Sequence, residues 1–270
     1  MKPVAFDILR ARSIDEALEA LANARGTVKV IAGGQSLGPM LNLRLVRPDA
    51  LVDISGIPSL GEIRETDDAV IFGACVTHAA IEDGRVPDPA MGFMAKIAQA
   101  IAYRAVRNRG TIAGSIVHAD PSADWLTTLT ALGAAVEIIG PQGRHMSDLA
   151  DFVTMAFTVN LGVGEFVTGI SVPKRSERAR FGYYKFCRKK GEFASAMGCV
   201  VHDGDFVRGV IGATGGKPWL VENVVRFLPA TQATAAEAAA LVRDMRISGD
   251  ALADQIHGEA FARAVRQVAG

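Results

Sequence analysis

The sequence predicts an α+β fold, because strand-like and helix-like segments are separated along its second half. Several β-prone runs follow Lys174, and the run Asp203–Asp205 predicts a hairpin turn among them. An alanine-rich tail with helical runs at 234–245 and 259–269 comes next. Strands followed by helices are typical of α+β proteins and not of a doubly wound sheet. The charged stretch 174–179 is therefore predicted to be an exposed boundary.

Short elements alternate in the first part of the chain. Ser13 predicts the N-cap of a helix, since Asp15 and Glu16 then lie where a helix dipole favours acidic side chains. The apolar and turn-forming runs that follow predict a series of further elements: a strand at 27–31, a helical turn at 37–41, and strands at 50–55 and 69–77 with turns at 56–58 and 67–68 between them.

Two longer helices are predicted in the middle of the chain. Apolar residues at helical spacing predict one helix from Pro89 to Arg107, with Gly110 as its terminator. Asp120 and Pro121 predict the N-cap and the first residue of the other helix, whose body is 123–132.

The overall composition excludes several classes of protein. Lys and Arg together number 29, as do Asp and Glu, so the charge balance gives no electrostatic argument for nucleic-acid binding. Apolar residues make up 49% of the chain, enough for a sizeable core. No apolar run approaches the ~20 residues that span a bilayer, and the N-terminal segment lacks the apolar stretch of a signal peptide. These observations predict a cytoplasmic protein without a membrane span.

The cysteines and histidines do not predict a metal site in this chain. Cys75, Cys187 and Cys199 are far apart and form no C-x-x-C pair, so a disulfide framework, a zinc site or an iron–sulfur cluster is not expected. The histidines show no ligand spacing and are expected to lie at the surface or in loops: His78, His118, His145, His202 and His257.

Two stretches of small residues carry the strongest functional signal. The first, "IAGGQSL" at 31–37, follows an apolar run, and its adjacent glycines allow peptide N–H groups to converge on a phosphate. The hydroxyl of Ser36 adds a further donor. The pattern is neither the Rossmann nor the P-loop motif, and an ordinary Gly-Gly turn is the alternative interpretation.

The second stretch, "GTIAGSIVHADPSAD" at 110–124, offers hydroxyls and unobstructed backbone at Thr111, Gly114 and Ser115. Asp124 lies in the first turn of a predicted helix, where it can accept hydrogen bonds from ribose or flavin-chain hydroxyls or simply stabilise the helix dipole. Two phosphate-type loops suit one ligand with a pyrophosphate, such as a dinucleotide. Replacing a glycine of either loop with valine is expected to weaken binding and to leave the fold intact, because loops lie outside the core.

The segments "AGGQSLGPMLNLRLVRPDALVDIS" and "RNRGTIAGSIVHADPSAD" together resemble the FAD-binding medium subunit of the molybdenum hydroxylases. That family includes the medium chain of carbon monoxide dehydrogenase and the flavin part of xanthine dehydrogenase. The resemblance implies a two-lobed FAD-binding domain of the vanillyl-alcohol-oxidase type in residues 1–175, with lobes of about 1–56 and 57–175. It also implies a small α/β C-terminal domain of antiparallel strands plus helices in residues 176–270.

The resemblance further implies which residues hold FAD. The first flavin loop comprises Ile31, Ala32, Gly33, Gly34, Gln35, Ser36 and Leu37. The second stretch contributes Thr111, Gly114, Ser115 and Val117, with Asp124 as the acid that anchors the cofactor. The residues implied around the isoalloxazine ring are Lys185 as a nearby cation, Ile170 as a pocket residue, Phe193 beside the ring, and Ile101 and Ala102 on the helix before the second stretch. No catalytic residue and no metal ligand is implied in this chain.

Three positions depart from the family pattern. Gln35 replaces the histidine of one branch, although glutamine is also familiar there. Ala113 stands where the second stretch often has glycine, and Glu192 replaces the usual aspartate, so altered flavin tuning is expected without loss of binding. The residues alone leave two alternatives open, which are a solvated strand lysine at Lys185 and core packing for Phe193.

The resemblance implies an electron-transfer subunit that works with two partner chains. These are a large molybdopterin-binding subunit and a small [2Fe-2S] subunit, expected together with this chain as a dimer of heterotrimers. A cation such as Lys185 near the ring would ease reduction of the flavin. Two other functions remain open, namely a self-sufficient FAD-dependent oxidoreductase of the same fold and a non-redox nucleotide-binding module.

Overall fold

The computed structural model describes residues 2–228 and 231–268. Its strands, in chain order, are β1 (Asp7–Arg10), β2 (Val28–Ile31), β3 (Ala50–Asp53), β4 (Ile63–Glu65), β5 (Ala69–Gly73), β6 (Ala135–Gly140), β7 (Gly143–Asp148), β8 (Val153–Met155), β9 (Thr158–Val159), β10 (Phe166–Pro173), β11 (Arg180–Phe186), β12 (Ala196–Asp203), β13 (Phe206–Gly212) and β14 (Trp219–Val221). Its α-helices are α1 (Ile14–Asn23), α2 (Leu37–Asn42), α3 (His78–Glu82), α4 (Phe93–Ala100), α5 (Arg104–Arg107), α6 (Ile112–His118), α7 (Asp124–Leu132), α8 (Leu149–Phe152), α9 (Gln232–Asp244) and α10 (Ala251–Val268).

The strands form separate sheets, which confirms the predicted α+β class. A three-stranded sheet has the order β1-β3-β2 with parallel pairing, and a five-stranded antiparallel sheet has the order β4-β5-β10-β6-β7. The second half forms the antiparallel sheet β11-β12-β13-β14, followed by α9 and α10. The remaining strands, β8 and β9, form a short hairpin.

Helix α7 lies at the centre of the main core. All of its residues are buried, because its sequence "DWLTTLTAL" has no charged residue after the first position. Trp125 packs in the same hydrophobic cluster as Cys199, Val201 and Val210, which belong to β12 and β13. The sheet of the second half therefore contributes to the same core as the first half.

The opposite face of that sheet is covered by the two C-terminal helices. Val200 and Ile211 lie in a second hydrophobic cluster together with Ala238 of α9 and Phe261 of α10. The four-stranded sheet is thus sandwiched between α7 and the pair of C-terminal helices. Residue 269, the predicted last position of the final helix, lies outside the described residues.

The start of α1 matches its prediction, but two predicted helices begin or end elsewhere. The Ser13 hydroxyl accepts the Glu16 N–H at 3.1 Å, as an N-cap does. The helix predicted at 89–107 is instead two helices, α4 and α5, because residues 101–103 leave the helical conformation. Asp120 is not an N-cap: its carboxylate accepts the Ser122 N–H at 2.9 Å in a local turn, and α7 begins only after Ala123.

Along the described ranges, none of the helices is both long and apolar enough to cross a membrane.

Candidate functional site

The first glycine stretch connects β2 to α2. Gly34 has φ +70°, a conformation that glycine adopts without strain. Among the hydrogen bonds formed by residues 2–228 and 231–268, the backbone N–H groups of 33–36 donate to no protein acceptor. These residues are half-buried. The stretch therefore presents a run of free amide donors, which is the chemistry that binds an anion.

The second stretch is mostly helical, contrary to its prediction as a loop. Thr111 is the N-cap of α6, and its hydroxyl accepts the Gly114 N–H at 3.1 Å. Gly114, Ser115 and Val117 consequently lie within α6. The backbone just before the helix is fixed, since the Gly110 carbonyl accepts the His78 N–H at 2.9 Å.

The two stretches touch each other through their backbones. A Cβ atom on Gly33 would lie 2.0 Å from the carbonyl oxygen of Arg109 and 3.0 Å from the Cα of Gly110. Glycine is therefore required at position 33 for the two segments to approach. The expectation that a valine there would leave the fold intact is wrong, because the space that a side chain needs is occupied by backbone.

An ion pair lies where α7 meets β11. Asp124, the first residue of α7, is 5% exposed, and its two carboxylate oxygens lie 3.0 and 2.9 Å from the Lys185 Nζ. The Tyr183 hydroxyl donates to Asp124 Oδ1 at 2.6 Å. Tyr183 and Lys185 are two residues apart on β11, so their side chains share one face of the strand. The alternative of a solvated lysine is wrong, since the Lys185 side chain is 8% exposed.

Burial shapes the protonation of this pair. It raises the pKa of the Asp124 carboxyl, and the charge of Lys185 and the hydrogen bonds from Tyr183 and Lys185 oppose that change. Burial and the neighbouring carboxylate raise the pKa of Tyr183 well above its ordinary value, so the phenol stays protonated and donates. Sequence reasoning did not identify Tyr183, although its spacing from Lys185 on a strand was a usable signal.

Ile101, Ala102 and Phe193, which the resemblance implies around the flavin ring, lie close to Gly191. Ile101 and Ala102 lie between α4 and α5 and not on a helix, and Ile101 forms an isolated parallel bridge with Gly191. Phe193 is 68% exposed, which excludes core packing as its role. It lines an open cavity of about 360 Å³ together with Arg188, Gly191, Glu192 and Ser195.

Ile170 lies apart from the other candidates. It sits in β10, paired with Phe72 of β5 and Val136 of β6, and its side chain is fully buried in the main core. Its place in a flavin pocket stays a prediction, and full burial does not favour it.

His78 lies beneath the second stretch, contrary to the prediction of a surface or loop histidine. It is 5% exposed, and its Nδ1 accepts the Trp125 indole N–H at 3.1 Å. Burial, followed by the charge of Arg107, lowers the pKa of His78 to about 4, so the ring is neutral near pH 7. His257 is also buried, at 3% exposure.

Acid is expected to destabilise the protein through His78. The folded-state pKa of about 4 lies below the ordinary value of 6.5, so the unfolded chain binds a proton that the folded chain excludes. This stabilisation is complete above pH 6.5 and decreases as the pH falls toward 4, by roughly 3 kcal/mol. Urea unfolding of wild type and His78→Gln across this range measures it, since the glutamine oxygen can still accept from Trp125.

The control for this measurement is His145→Gln, because the His145 side chain is 49% exposed. As a surface substitution it should change the stability near pH 7 by less than about 0.5 kcal/mol. Equal pH dependence in wild type and His78→Gln would contradict the assignment.

Known proteins are similar to this chain over most of its length. Residues 4–175 match the family model described as the FAD binding domain in molybdopterin dehydrogenase. The alpha subunit of the 6-hydroxypseudooxynicotine dehydrogenase complex of Paenarthrobacter nicotinovorans is 36% identical over 194 residues, which are 72% of this chain and 66% of that protein. The carbon monoxide dehydrogenase medium chain of Hydrogenophaga pseudoflava is 34% identical over 201 residues, 74% of this chain and 70% of that one. These matches thus span about two thirds of the relatives' lengths.

Solved structures match over the entire chain. The structure of carbon monoxide dehydrogenase from Hydrogenophaga pseudoflava, in a form that lacks the Mo-pyranopterin moiety of the molybdenum cofactor, contains a chain that superposes with a TM-score of 0.90 at 29% identity, covering 99% of this chain and 98% of that one. Quinoline 2-oxidoreductase from Pseudomonas putida 86 gives a TM-score of 0.86 at 28% identity, with 100% of both chains covered.

Proposed function

Because this chain belongs to the family of FAD-binding domains in molybdopterin dehydrogenases, we propose that it is the FAD-carrying electron-transfer subunit of a heteromeric molybdenum hydroxylase. The chain would take electrons from the iron–sulfur clusters of a partner and deliver them to an external acceptor. The observation that carries the proposal is the match of nearly the whole chain, at 99%, to a chain of carbon monoxide dehydrogenase. FAD supplies the redox chemistry when bound, and the protein binds and orients it.

The first glycine stretch suits the pyrophosphate of FAD. Its free N–H groups at 33–36 offer several hydrogen bonds to phosphate oxygens without a charged side chain. Gly33 holds this stretch against Arg109 and Gly110, next to the Thr111 cap of α6. We therefore assign Ile31–Leu37 and the segment from Thr111 to Val117 to the phosphate-bearing part of the cofactor.

The buried ion pair suits the flavin end. A carboxylate accepts up to about four hydrogen bonds, and Asp124 receives those from Tyr183 and Lys185, so it retains capacity for a hydroxyl of the flavin chain. Lys185 brings a positive charge to the same place, beside the Ala100 carbonyl at 3.5 Å. We assign Ile101, Ala102, Phe193 and, from sequence alone, Ile170 to the surroundings of the ring.

The proposed assembly has a large molybdopterin-binding subunit and a small [2Fe-2S] subunit, with the three chains paired as a dimer of heterotrimers. Support comes from relatives that are named as medium chains and as subunits of complexes. The proposed location is the cytoplasm, and the free thiols of Cys75, Cys187 and Cys199 suit a reducing compartment.

FAD is expected to bind non-covalently and in preference to FMN. The run of free N–H groups at 33–36 suits the two adjacent phosphates of FAD, whereas FMN offers a single phosphate. Acid precipitation of the purified protein should release all the yellow colour into the supernatant, and chromatography should identify the released cofactor as FAD. Flavin that stays with the pellet, or equal affinities for FMN and FAD, would contradict this prediction.

Flavin reduction is expected only in the complete assembly. The FAD-loaded chain is mixed with candidate organic reductants alone, and then with its molybdenum and iron–sulfur partners. Bleaching of the flavin absorbance should appear only in the complete mixture. Rapid bleaching of the isolated chain by an organic substrate would favour a self-sufficient oxidoreductase, and a purified chain that takes up no flavin would favour a non-redox nucleotide module.

A further inference from the structure

The chain crosses from α4 to α5 through a short segment in an unfavourable conformation. Ala102 has φ +44° although it carries a side chain. Such a conformation is unfavourable for a residue with a side chain and persists only where neighbouring groups hold it. We call residues 101–103 the crossing segment. Its contacts identify the groups that hold its backbone in this conformation.

Arg107 holds the crossing segment from one side. Its side chain is 10% exposed, and Nη1 donates to the carbonyl oxygens of Ile101 at 2.9 Å and Ala102 at 3.0 Å. The remaining edge of the guanidinium binds both carboxylate oxygens of Glu82, with Nε at 2.7 Å and Nη2 at 2.8 Å. Glu82, the last residue of α3, thus orients the guanidinium so that it faces the two carbonyls.

The opposite side of the crossing segment faces the ring candidates. Gly191 bridges to Ile101, and a Cβ atom on Gly191 would lie 2.7 Å from the Ala102 carbonyl oxygen. Immediately before the crossing, the Ala100 carbonyl lies 3.5 Å from Lys185 Nζ. The crossing segment therefore lies between Arg107 and the residues that surround the proposed flavin site.

We propose that Arg107, oriented by Glu82, is a positioning residue for the flavin site. It fixes the backbone of Ile101 and Ala102, and through this backbone it sets the positions of Gly191 and Lys185. The inference rests on the proposed function, because Arg107 acts on FAD only through the crossing segment. A lysine cannot replace it, since one ammonium group cannot bind a carboxylate in bidentate fashion and also reach two carbonyls in that fixed geometry.

The test compares Arg107→Lys with Arg104→Lys. Arg104 lies on the same helix and also pairs with Glu82, at 2.9 Å, but it is 47% exposed and donates to neither carbonyl. Arg107→Lys should weaken FAD binding by about tenfold or more and change the visible circular dichroism of the flavin that remains bound. Arg104→Lys should change neither by more than about twofold. Glu82→Gln, which removes the charge but keeps an acceptor, replaces Arg107→Lys if that variant fails to fold.

A fourth variant, Gly191→Ala, disturbs the crossing segment from the other side. It should produce the same spectral change, and combining it with Arg107→Lys should add little, because both act on the Ala102 carbonyl. Additive effects, or an Arg107→Lys protein with wild-type affinity and spectrum, would overturn the proposal.

Hydrogen exchange separates this inference from the proposed function. In the protein without FAD, Arg107→Lys should raise amide exchange both at 100–103 and at 190–193, while Arg104→Lys should not. If wild type takes up no FAD, the proposed function fails and the exchange result alone decides whether Arg107 holds the crossing segment. Unchanged exchange at both segments would overturn the inference even in a protein that binds FAD.

Discussion

Replacing Gly33 with alanine is expected to lower the FAD affinity by more than about 100-fold and to destabilise the fold by roughly 1–3 kcal/mol. The added methyl group would lie 2.0 Å from the oxygen and 2.8 Å from the carbon of the Arg109 carbonyl. Backbone atoms cannot rotate away as a flexible side chain does, so the two glycine-containing stretches must separate. The free N–H groups at 33–36 would then lose their position relative to α6.

Gly38→Ala is the matched control for this change. Gly38 lies in α2, five residues further along the chain, and a Cβ atom there would meet nothing within 4 Å. Alanine in a helix should be neutral or stabilise the protein by up to about 1 kcal/mol. Titration with FAD, followed by fluorescence, and thermal unfolding without FAD measure the two effects. A Gly33→Ala protein with full flavin occupancy and unchanged stability would show that the contact between the stretches tolerates a side chain.

Replacing Lys185 with methionine is expected to destabilise the protein by about 3–5 kcal/mol near neutral pH. The substitution keeps most of the side-chain volume but leaves the Asp124 carboxylate buried, and within the described part of the chain the Tyr183 hydroxyl is its one remaining side-chain partner. FAD affinity should fall as well, since the variant lacks the positive charge at the proposed flavin end.

The loss should be smaller in acid. Burial already raises the folded-state pKa of Asp124, and removal of Lys185 takes away an interaction that opposes this rise. Between the ordinary pKa and the raised one, the folded variant keeps a proton that the unfolded chain has released. Its stability therefore falls as the pH rises through this window, and more steeply than that of wild type.

Urea unfolding at about pH 5 and about pH 8 tests whether Lys185→Met loses more stability at the higher pH. The double variant Lys185→Met with Asp124→Asn should lose the extra pH dependence, because no carboxyl remains to titrate. Lys29→Met is the matched control, since Lys29 is an exposed lysine on strand β2. A Lys185→Met protein that is equally destabilised at both pH values would argue against a buried, ionised partner.

Local signals predicted much of the fold. Ser13 caps α1 as expected, because a hydroxyl followed by acids acts within one turn of chain. Asp120 carries the same kind of signal, but the prediction of an N-cap there is wrong. An aspartate before proline can also form a local turn, and the Asp120 carboxylate accepts the Ser122 N–H in this way. The break at Ala102 had no local signal, because it is held by Arg107 and Gly191 across the fold.

Sequence reasoning proposed the individual residues of the candidate site but not the contacts between them. The glycine stretches, Asp124 and Lys185 were all identified from residue type and resemblance. Their contacts were not identified, because Asp124 and Lys185 are 61 positions apart in the sequence. The periodicity of apolar residues predicts local elements and not contacts over such a separation. Gly33 was identified as a ligand-facing glycine, whereas its packing against Arg109 depends on the meeting of two distant segments.

The position of α7 between the two halves has a consequence for how the protein is made. Residues 1–175 are synthesised first, when β12 and β13 do not yet exist to cover α7 and Lys185 does not yet exist to neutralise Asp124. A chain interrupted near residue 175, where the family match ends, would lack one side of its core and half of its buried ion pair. FAD would then bind late in biogenesis, only after the sheet β11-β12-β13-β14 has folded against α7.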